Sequence, residues 1–253
     1  MTFDQNDSIQ RWDNNAETWH RSFGEKDLNR RDLLDPIILQ VLGDVKGKHV
    51  LDAGCGDGYL SRKLARLGAS VTGIEYSQKM LDFAIDEEKK EPLMITYRQA
   101  DCTALPFLSS LTFDIVVTNN VIQDMADNQG AFREFSRVLK PGGTYLHIEN
   151  HPCFTPPVFG WVKDSRGEKL YRKVDQYFKR GPFLTPWGQS SGMEPTVCWH
   201  RTLSDTMNLL ITCDFRIVKV IEPEPPESWA TDHPERMDAG RIPDFIVLVC
   251  RKE

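Results

Sequence analysis

Between residues 46 and 150 the chain alternates short apolar runs with longer stretches whose apolar residues recur at helical spacing. The short runs predict strands at His49–Asp52, Ser70–Glu75, Ile95–Gln99, Phe113–Thr118 and Thr144–Glu149. Between them, Tyr59–Leu67, Gln78–Glu87 and Gln129–Leu139 predict amphipathic helices; Phe132, Phe135 and Leu139 fall on one helical face. Strands that alternate with helices make a parallel sheet covered by helices, because each crossover lays its helix on a sheet face. Further on, Leu203–Thr212 predicts a helix, and Phe215–Glu222 and Phe245–Cys250 predict two strands able to pair as an antiparallel hairpin at the sheet edge. Their connection, with Pro223, Pro225 and Pro226, is too irregular for a helix. The first 45 residues are expected to form helices ahead of the sheet.

Residues 151–199 break the rhythm with Pro152, Pro156, Pro157, Pro182, Pro186 and a set of aromatic side chains. A stretch of that length inside a compact domain is either functional or a mobile excursion. The aromatic content favours a lid or substrate cap. The expected plan is one domain over 1–253. It has an N-terminal helical segment (1–45) over the site, a core (46–150), a cap insertion (151–199) and a C-terminal helix and strand pair (200–253).

Composition narrows the function. Of 253 residues, 31 are basic and 37 acidic, a formal net charge of −6. That balance opposes a phosphate-tracking surface, which depends on clustered Lys and Arg. The nearest basic run, Lys163 to Arg180, also holds Asp164, Glu168 and Asp175 and reads as a solvated segment. The six cysteines include no CxxC pair, the first residues are polar and acidic, and no apolar run approaches a membrane span. A reduced, cytoplasmic protein is expected, without nucleic-acid or membrane partners, as a monomer or homodimer.

The chemistry concentrates at Val50 to Gly58, VLDAGCGDG, a strand end followed by Gly54, Gly56, Gly58 and a helix. Glycines let the backbone turn tightly and approach a ligand, and the helix presents free N–H groups. A dinucleotide fingerprint wants GxGxxG to seat a pyrophosphate. Here the spacing is GxGxG, with Asp52 and Asp57 beside it, and two carboxylates repel a pyrophosphate but suit a ligand carrying an ammonium and a sulfonium. Glu75, ending the second strand, can accept from both ribose hydroxyls. After the third strand Asp101 can accept from an adenine amino group while the Cys102 N–H meets a ring nitrogen.

With these elements in order, and with Gly73–Ser77, Asp101–Phe107 and Leu139–Gly143 after the loop, the chain resembles the class I S-adenosylmethionine-dependent methyltransferases, in particular the small-molecule (type 11-like) group. The resemblance spans about residues 12 to 150. It implies a Rossmann-like, mostly parallel seven-stranded sheet with helices on both faces and an antiparallel final strand. It further implies S-adenosylmethionine as cofactor, S-adenosylhomocysteine as product, and methyl transfer to a small acceptor. By the same resemblance Gly54 and Gly56 lie against the methionine part, Asp52 helps hold its ammonium, Glu75 takes the ribose, Tyr76 and Met80 flank the adenine, and Asp101 with Cys102 reads its edge. Asn119 supplies a backbone carbonyl, and Trp19 stands where a Tyr commonly closes over the cofactor. Tyr76 and Met80 also suit plain packing at a helix start, and Trp12 and Trp19 suit core packing.

Methyl transfer needs alignment and exclusion of water more than a fixed catalytic motif, and a base only for a protonated, weakly acidic acceptor. In the stretch Asn119 to Asp124, Gln123 cannot act as a base; Asp124 can, or it caps the next helix. On a strand His147, Glu149 and His151 share a face, and His151 is best placed to reach an acceptor, unless it is a satisfied structural histidine. His200 is a third candidate, ahead of Thr202 or Ser204 as helix caps. Cys198 and His200 with His147, His151 and Cys153 hold the atoms of a zinc site, but their scatter opposes one and no metal is expected. Trp161, Trp187, Trp199, Phe154, Phe159, Phe178 and Phe183 suggest stacking on a planar or heteroaromatic acceptor, attacked through oxygen or nitrogen. A cofactor-binding protein without transfer, acting as a regulator or partner subunit, is the main alternative; a nicotinamide-dependent oxidoreductase is another.

Overall fold

The strand β1 (His49–Ala53) is buried along all but its first residue, because it pairs in parallel with neighbours on both sides and is covered on both faces. It lies inside a seven-stranded sheet that includes β2 (Ser70–Glu75), β3 (Thr96–Gln99), β4 (Phe113–Asn119), β5 (Leu139–Asn150), β10 (Phe215–Ile221) and β11 (Phe245–Lys252). The order is β10-β11-β5-β4-β1-β2-β3, with only β11 running antiparallel to its neighbours. The computed structural model describes residues 2–23, 26–185 and 191–253.

Alternate strand residues enter two cores. Val116 and Tyr145 pack with Phe132 and Phe135 of α5 (Asn128–Val138) and Leu210 of α6 (Leu203–Thr212). Ile115, Val117 and Leu146 pack on the opposite face with Ile38 of α2 (Asp35–Leu42) and Leu64 of α3 (Tyr59–Arg66). Caps set where the helices begin. Ser77 Oγ accepts from the Met80 N–H to open α4 (Gln78–Lys90), Asp127 accepts from Gly130 to open α5, and Thr202 and Asp205 form a reciprocal box on α6. The cap of α5 is therefore Asp127, which frees Asp124 from that duty.

The first 45 residues hold α1 (Gln5–Ser22), opened by an Asp4–Asp7 capping box, and a wide π-helical turn, Asn29–Leu34, that runs into α2. Among the described residues, the stretch from 151 to 200 contains two antiparallel strand pairs. One is β6 (Val158–Lys163) with β7 (Lys169–Asp175); the other is β8 (Gly181–Thr185) with β9 (Thr196–His200). Trp161 of β6 lies under the guanidinium of Arg241, 4.7 Å from its ring centroid, which ties the first pair to the chain ahead of β11. That approach to β11 corrects the expectation of an irregular loop. A short helix, α7 (Trp229–Asp232), and a 3-10 segment, Pro234–Arg241, occupy it, because Trp229 is buried among Val247 and Phe245. Among the described residues no helix is long and apolar enough to cross a membrane.

Candidate active site

At the carboxyl end of β1 the chain reverses through Gly54, Cys55 and Gly56, and the reversal is held by the Gly54 and Cys55 N–H groups donating to the Ile74 carbonyl at 2.8 and 2.9 Å. Gly54 has φ +75°, and a Cβ there would lie 2.4 Å from Val121 Cγ1. No other residue fits. Beside this loop opens a cavity of about 300 Å³ that continues between α1, the carboxyl ends of β4 and β5, and the strands β6, β8 and β9.

Of the residues assigned to the cofactor, Trp19, Gly54, Gly56, Glu75, Tyr76, Met80 and Asn119 line this cavity. Glu75 receives the Gly56 N–H on Oε2 at 2.9 Å and the Ser77 N–H on Oε1 at 3.0 Å, so its carboxylate is aimed by two pieces of backbone. Burial pushes its pKa up to about 7 despite those donors. Trp19 stacks on Phe23 with centroids 4.8 Å apart and carries the Arg30 guanidinium 4.7 Å above its ring. The helix that bears it is fastened to the loop by His20 Nδ1, 3.1 Å from Asp57 Oδ2. That hydrogen bond raises the His20 pKa above the ordinary value.

Asp52, Asp101 and Cys102 stand outside the lining. Asp52 is buried beneath the loop and accepts from Ser61 Oγ at 2.6 Å, with its pKa raised to about 6 by burial. Its position supports the loop from behind. Asp101 is exposed and its Oδ1 accepts from the Thr103 N–H at 2.8 Å, while the Cys102 side chain is packed into the core.

Two of the three candidates for acceptor chemistry line the cavity, Asp124 and His200. Asp124 sits on the 3-10 turn Ile122–Asp124 and accepts from the Cys198 thiol at 3.2 Å and from the Trp12 indole. Its donors therefore come from β9 and α1, so one carboxyl joins the N-terminal helix to the insertion. Burial drives its pKa to about 8, which keeps it largely protonated near neutrality. His200 donates from Nε2 to the Tyr177 carbonyl at 2.7 Å, which fixes the tautomer. Nδ1 then carries the lone pair and has no hydrogen-bond partner among the described residues. Burial lowers the His200 pKa, so the ring is neutral at physiological pH.

His151 is not brought to the cavity. β5 ends at Asn150, and the His151 N–H donates to the Asp244 carbonyl at 2.9 Å, beside the Asn150–Phe245 pair. Both ring nitrogens are engaged, Nε2 with Glu222 at 3.0 Å and Nδ1 with the Cys153 N–H at 3.2 Å. The histidine holds the start of the insertion. Of the seven aromatic side chains suggested for stacking, Phe159, Phe183 and Trp199 line the cavity, whereas Trp161, Phe154 and Phe178 do not; Trp187 lies outside the described residues.

Sequence reasoning missed Arg30, which reaches the cavity from the π-helical turn, a distortion that often marks functional sites. Nor did it single out Glu149, although alternation along β5 placed it on the facing side. Asn120, in the left-handed region at φ +59°, also lines the cavity, and backbone in that region for a non-glycine residue gathers at functional sites.

The donor set suits a cationic nucleoside ligand. Left-handed glycines leave room for close backbone approach, an aimed carboxylate faces the cavity, and three carboxyls with pKa values raised by burial gain from a nearby positive charge. Fold and site define a Rossmann-like protein that binds a nucleoside cofactor at the carboxyl edge of its sheet. Comparison with known proteins specifies it further. The family model described as "Methyltransferase domain" matches residues 51–147. A ubiquinone biosynthesis O-methyltransferase of Coxiella burnetii is 30% identical over 184 residues, covering 70% of this chain and 77% of that protein. An S-adenosylmethionine-dependent methyltransferase structure from Mesorhizobium loti is 31% identical, with a TM-score of 0.74 over 86% of this chain and 96% of that one. A structure described as a putative S-adenosylmethionine-dependent methyltransferase from Listeria monocytogenes is 27% identical at the same TM-score and coverage. The chain belongs to the S-adenosylmethionine-dependent methyltransferase family.

Proposed function

We propose that this methyltransferase alkylates an oxygen or nitrogen on a small acceptor with a planar ring, and that His200 removes the acceptor's proton. The observation that carries the reading is one cavity running from the glycine loop to Phe159, Phe183 and Trp199, with the neutral His200 ring on its wall. The Coxiella burnetii relative is named an O-methyltransferase of ubiquinone biosynthesis, which supports oxygen as the attacked atom. S-adenosylmethionine, when bound, supplies an electrophilic methyl carbon on a sulfonium. Glu75 orients its ribose, Gly54 and Gly56 allow its close approach, and Trp19 and Tyr76 shield it from water. The acceptor's lone pair takes the methyl carbon as the carbon–sulfur bond breaks and its electrons return to sulfur. The proton left on the acceptor passes to His200 Nδ1. A base of lowered pKa stays competent below pH 6.5, because it remains unprotonated there.

The test is incubation with methyl-labelled S-adenosylmethionine and a panel of phenols, catechols and aromatic amines. Labelled product is expected, with His200→Gln reducing kcat by about 100-fold while the affinity for S-adenosylhomocysteine holds. Binding of S-adenosylhomocysteine without labelled product in any pool would favour the non-transferring alternative. A His200→Gln enzyme with wild-type kcat removes the base assignment.

A further inference from the structure

Glu149, near the end of β5, lines the cavity and is only 6% exposed. Neither of its carboxylate oxygens receives a hydrogen bond among the described residues, and Oε1 is fully buried without a donor. His147 Nε2 stands 3.3 Å from Oε1, a close pair that falls outside hydrogen-bond alignment, and that nitrogen has no hydrogen bond among the described residues. His147 is held from its other side, where Nδ1 lies 3.1 Å from the Tyr145 hydroxyl, and that hydroxyl lies 2.9 Å from Thr118 Oγ1. This buried row fixes the imidazole beside Glu149 without satisfying the carboxylate.

Buried polar groups in folded proteins are paired, and a carboxylate left without donors in an enclosed site is an exception that calls for a ligand. Asn128 Oδ1 and Gln123 Oε1, on the same cavity wall, also lack donors. An amide can turn either its oxygen or its nitrogen to a ligand, whereas the two oxygens of a carboxylate are acceptors. Glu149 therefore sets the sign of the demand. Its field is felt by His200 and by Arg201, which places it facing the end of β9 and the start of α6, on the acceptor side of the cavity.

Resting on the methyl-transfer reading above, we infer that Glu149 selects the acceptor: the ring that stacks among Phe159, Phe183 and Trp199 carries a hydrogen-bond donor, an O–H or N–H group, which Glu149 receives. The same carboxylate excludes acceptors that present a carboxylate at that point, by repulsion and by leaving its own oxygens unpaired. The selection is independent of the cofactor half of the site, where Glu75 is the acidic group that lines the cavity beside the loop.

The experiment uses the full chain saturated with S-adenosylhomocysteine and four single-ring probes: phenol, benzylamine, anisole and benzoate. Binding is read by tryptophan fluorescence and calorimetry. Phenol or benzylamine is expected to bind at least about tenfold tighter than anisole and benzoate, and which of the two wins separates a hydroxyl from an amine as the group that Glu149 receives. Glu149→Gln, which keeps the shape and offers an N–H, is expected to shrink the margin over benzoate to about twofold or less. Glu149→Asp restores the exclusion of benzoate. Wild-type affinity for S-adenosylhomocysteine and an unchanged melting temperature in both variants show that they are folded. The inference is overturned if benzoate binds the wild type as well as phenol and benzylamine, if Glu149→Gln leaves the preference intact, or if none of the four probes binds. Failure to bind S-adenosylhomocysteine at all would instead overturn the reading on which the inference rests.

Discussion

Raising the pH from 6 to 8 should tighten cofactor binding about tenfold, and Glu75 should be the cause. Its carboxyl is buried, and backbone donors that include Gly56 N–H at 2.9 Å and Ser77 N–H at 3.0 Å leave its pKa at about 7. Near pH 6 about a tenth of the carboxyls are ionised and near pH 8 about nine-tenths, since one pH unit below or above the pKa shifts the ratio tenfold. With the ribose placed on Glu75 as proposed, its hydroxyls would donate to the ionised form, so the apparent affinity should follow that fraction, a change of about 1.4 kcal/mol over the range. Isothermal titration of S-adenosylhomocysteine in buffers of different ionisation enthalpy measures both the dissociation constant and the protons released. Close to one proton should leave per molecule bound near pH 6, and almost none near pH 8. Asp52, at about 6, adds to the release at the acidic end. Glu75→Gln should bind about 100-fold more weakly at pH 8 and show a flat profile. A wild-type dissociation constant that changes less than twofold between pH 6 and 8, with no buffer dependence, would refute the reasoning.

Other consequences are equally direct. Gly54→Ala forces a methyl group to within 2.4 Å of Val121 on a left-handed backbone, and S-adenosylhomocysteine binding should fall by more than about tenfold in calorimetry. Asp124 has a folded pKa of about 8 against an ordinary value of 3.8, so the stability it contributes is complete below about pH 4 and is lost as pH rises toward 8. Asp124→Asn, which cannot ionise, should therefore lose less melting temperature than the wild type between pH 6 and 9; parallel curves would count against the shift. The His20–Asp57 bond stabilises most below pH 6.5, because the His20 pKa is raised, and fades as pH passes that raised value. The pair is partly exposed, so His20→Ala should lower the melting temperature at pH 6 by only about 2 °C, and by less at pH 9.

The parts of this molecule that were legible in its sequence are those whose signal is local. Parallel strands buried on both faces read as unbroken apolar runs, and the loop after β1 needs glycines at fixed positions, so β1, β2, β4 and the Gly54–Gly58 turn could be placed without a structure. Glu75 followed from its place at the end of β2. His151 lies outside the cavity lining because its ring is engaged by Glu222 and by the Cys153 N–H, and the Glu222 partner lies 71 residues along the chain where no local pattern announces it. Arg30 reaches the cavity through a π-helical turn that no spacing announces. The strand pairs of residues 151–199 were masked by proline and glycine, and the helix at Trp229 depends on a core contact with β11.

The buried acids explain why one site serves both binding and stability. Asp52, Glu75 and Asp124 are each at most 7% exposed, and burial raises all three, so the free protein loses stability as pH rises and they are forced toward ionisation. A cationic ligand among them favours the ionised forms and returns that free energy as affinity. The acids are therefore not isolated features to be assigned one role each. Glu75 lines the cavity, Asp52 lies beneath the loop, and Asp124 binds α1 to β9 across the cavity. The stabilisation of the protein by S-adenosylmethionine should accordingly be larger at pH 8 than at pH 6, the opposite of what a phosphate-bearing dinucleotide would give beside the same carboxylates.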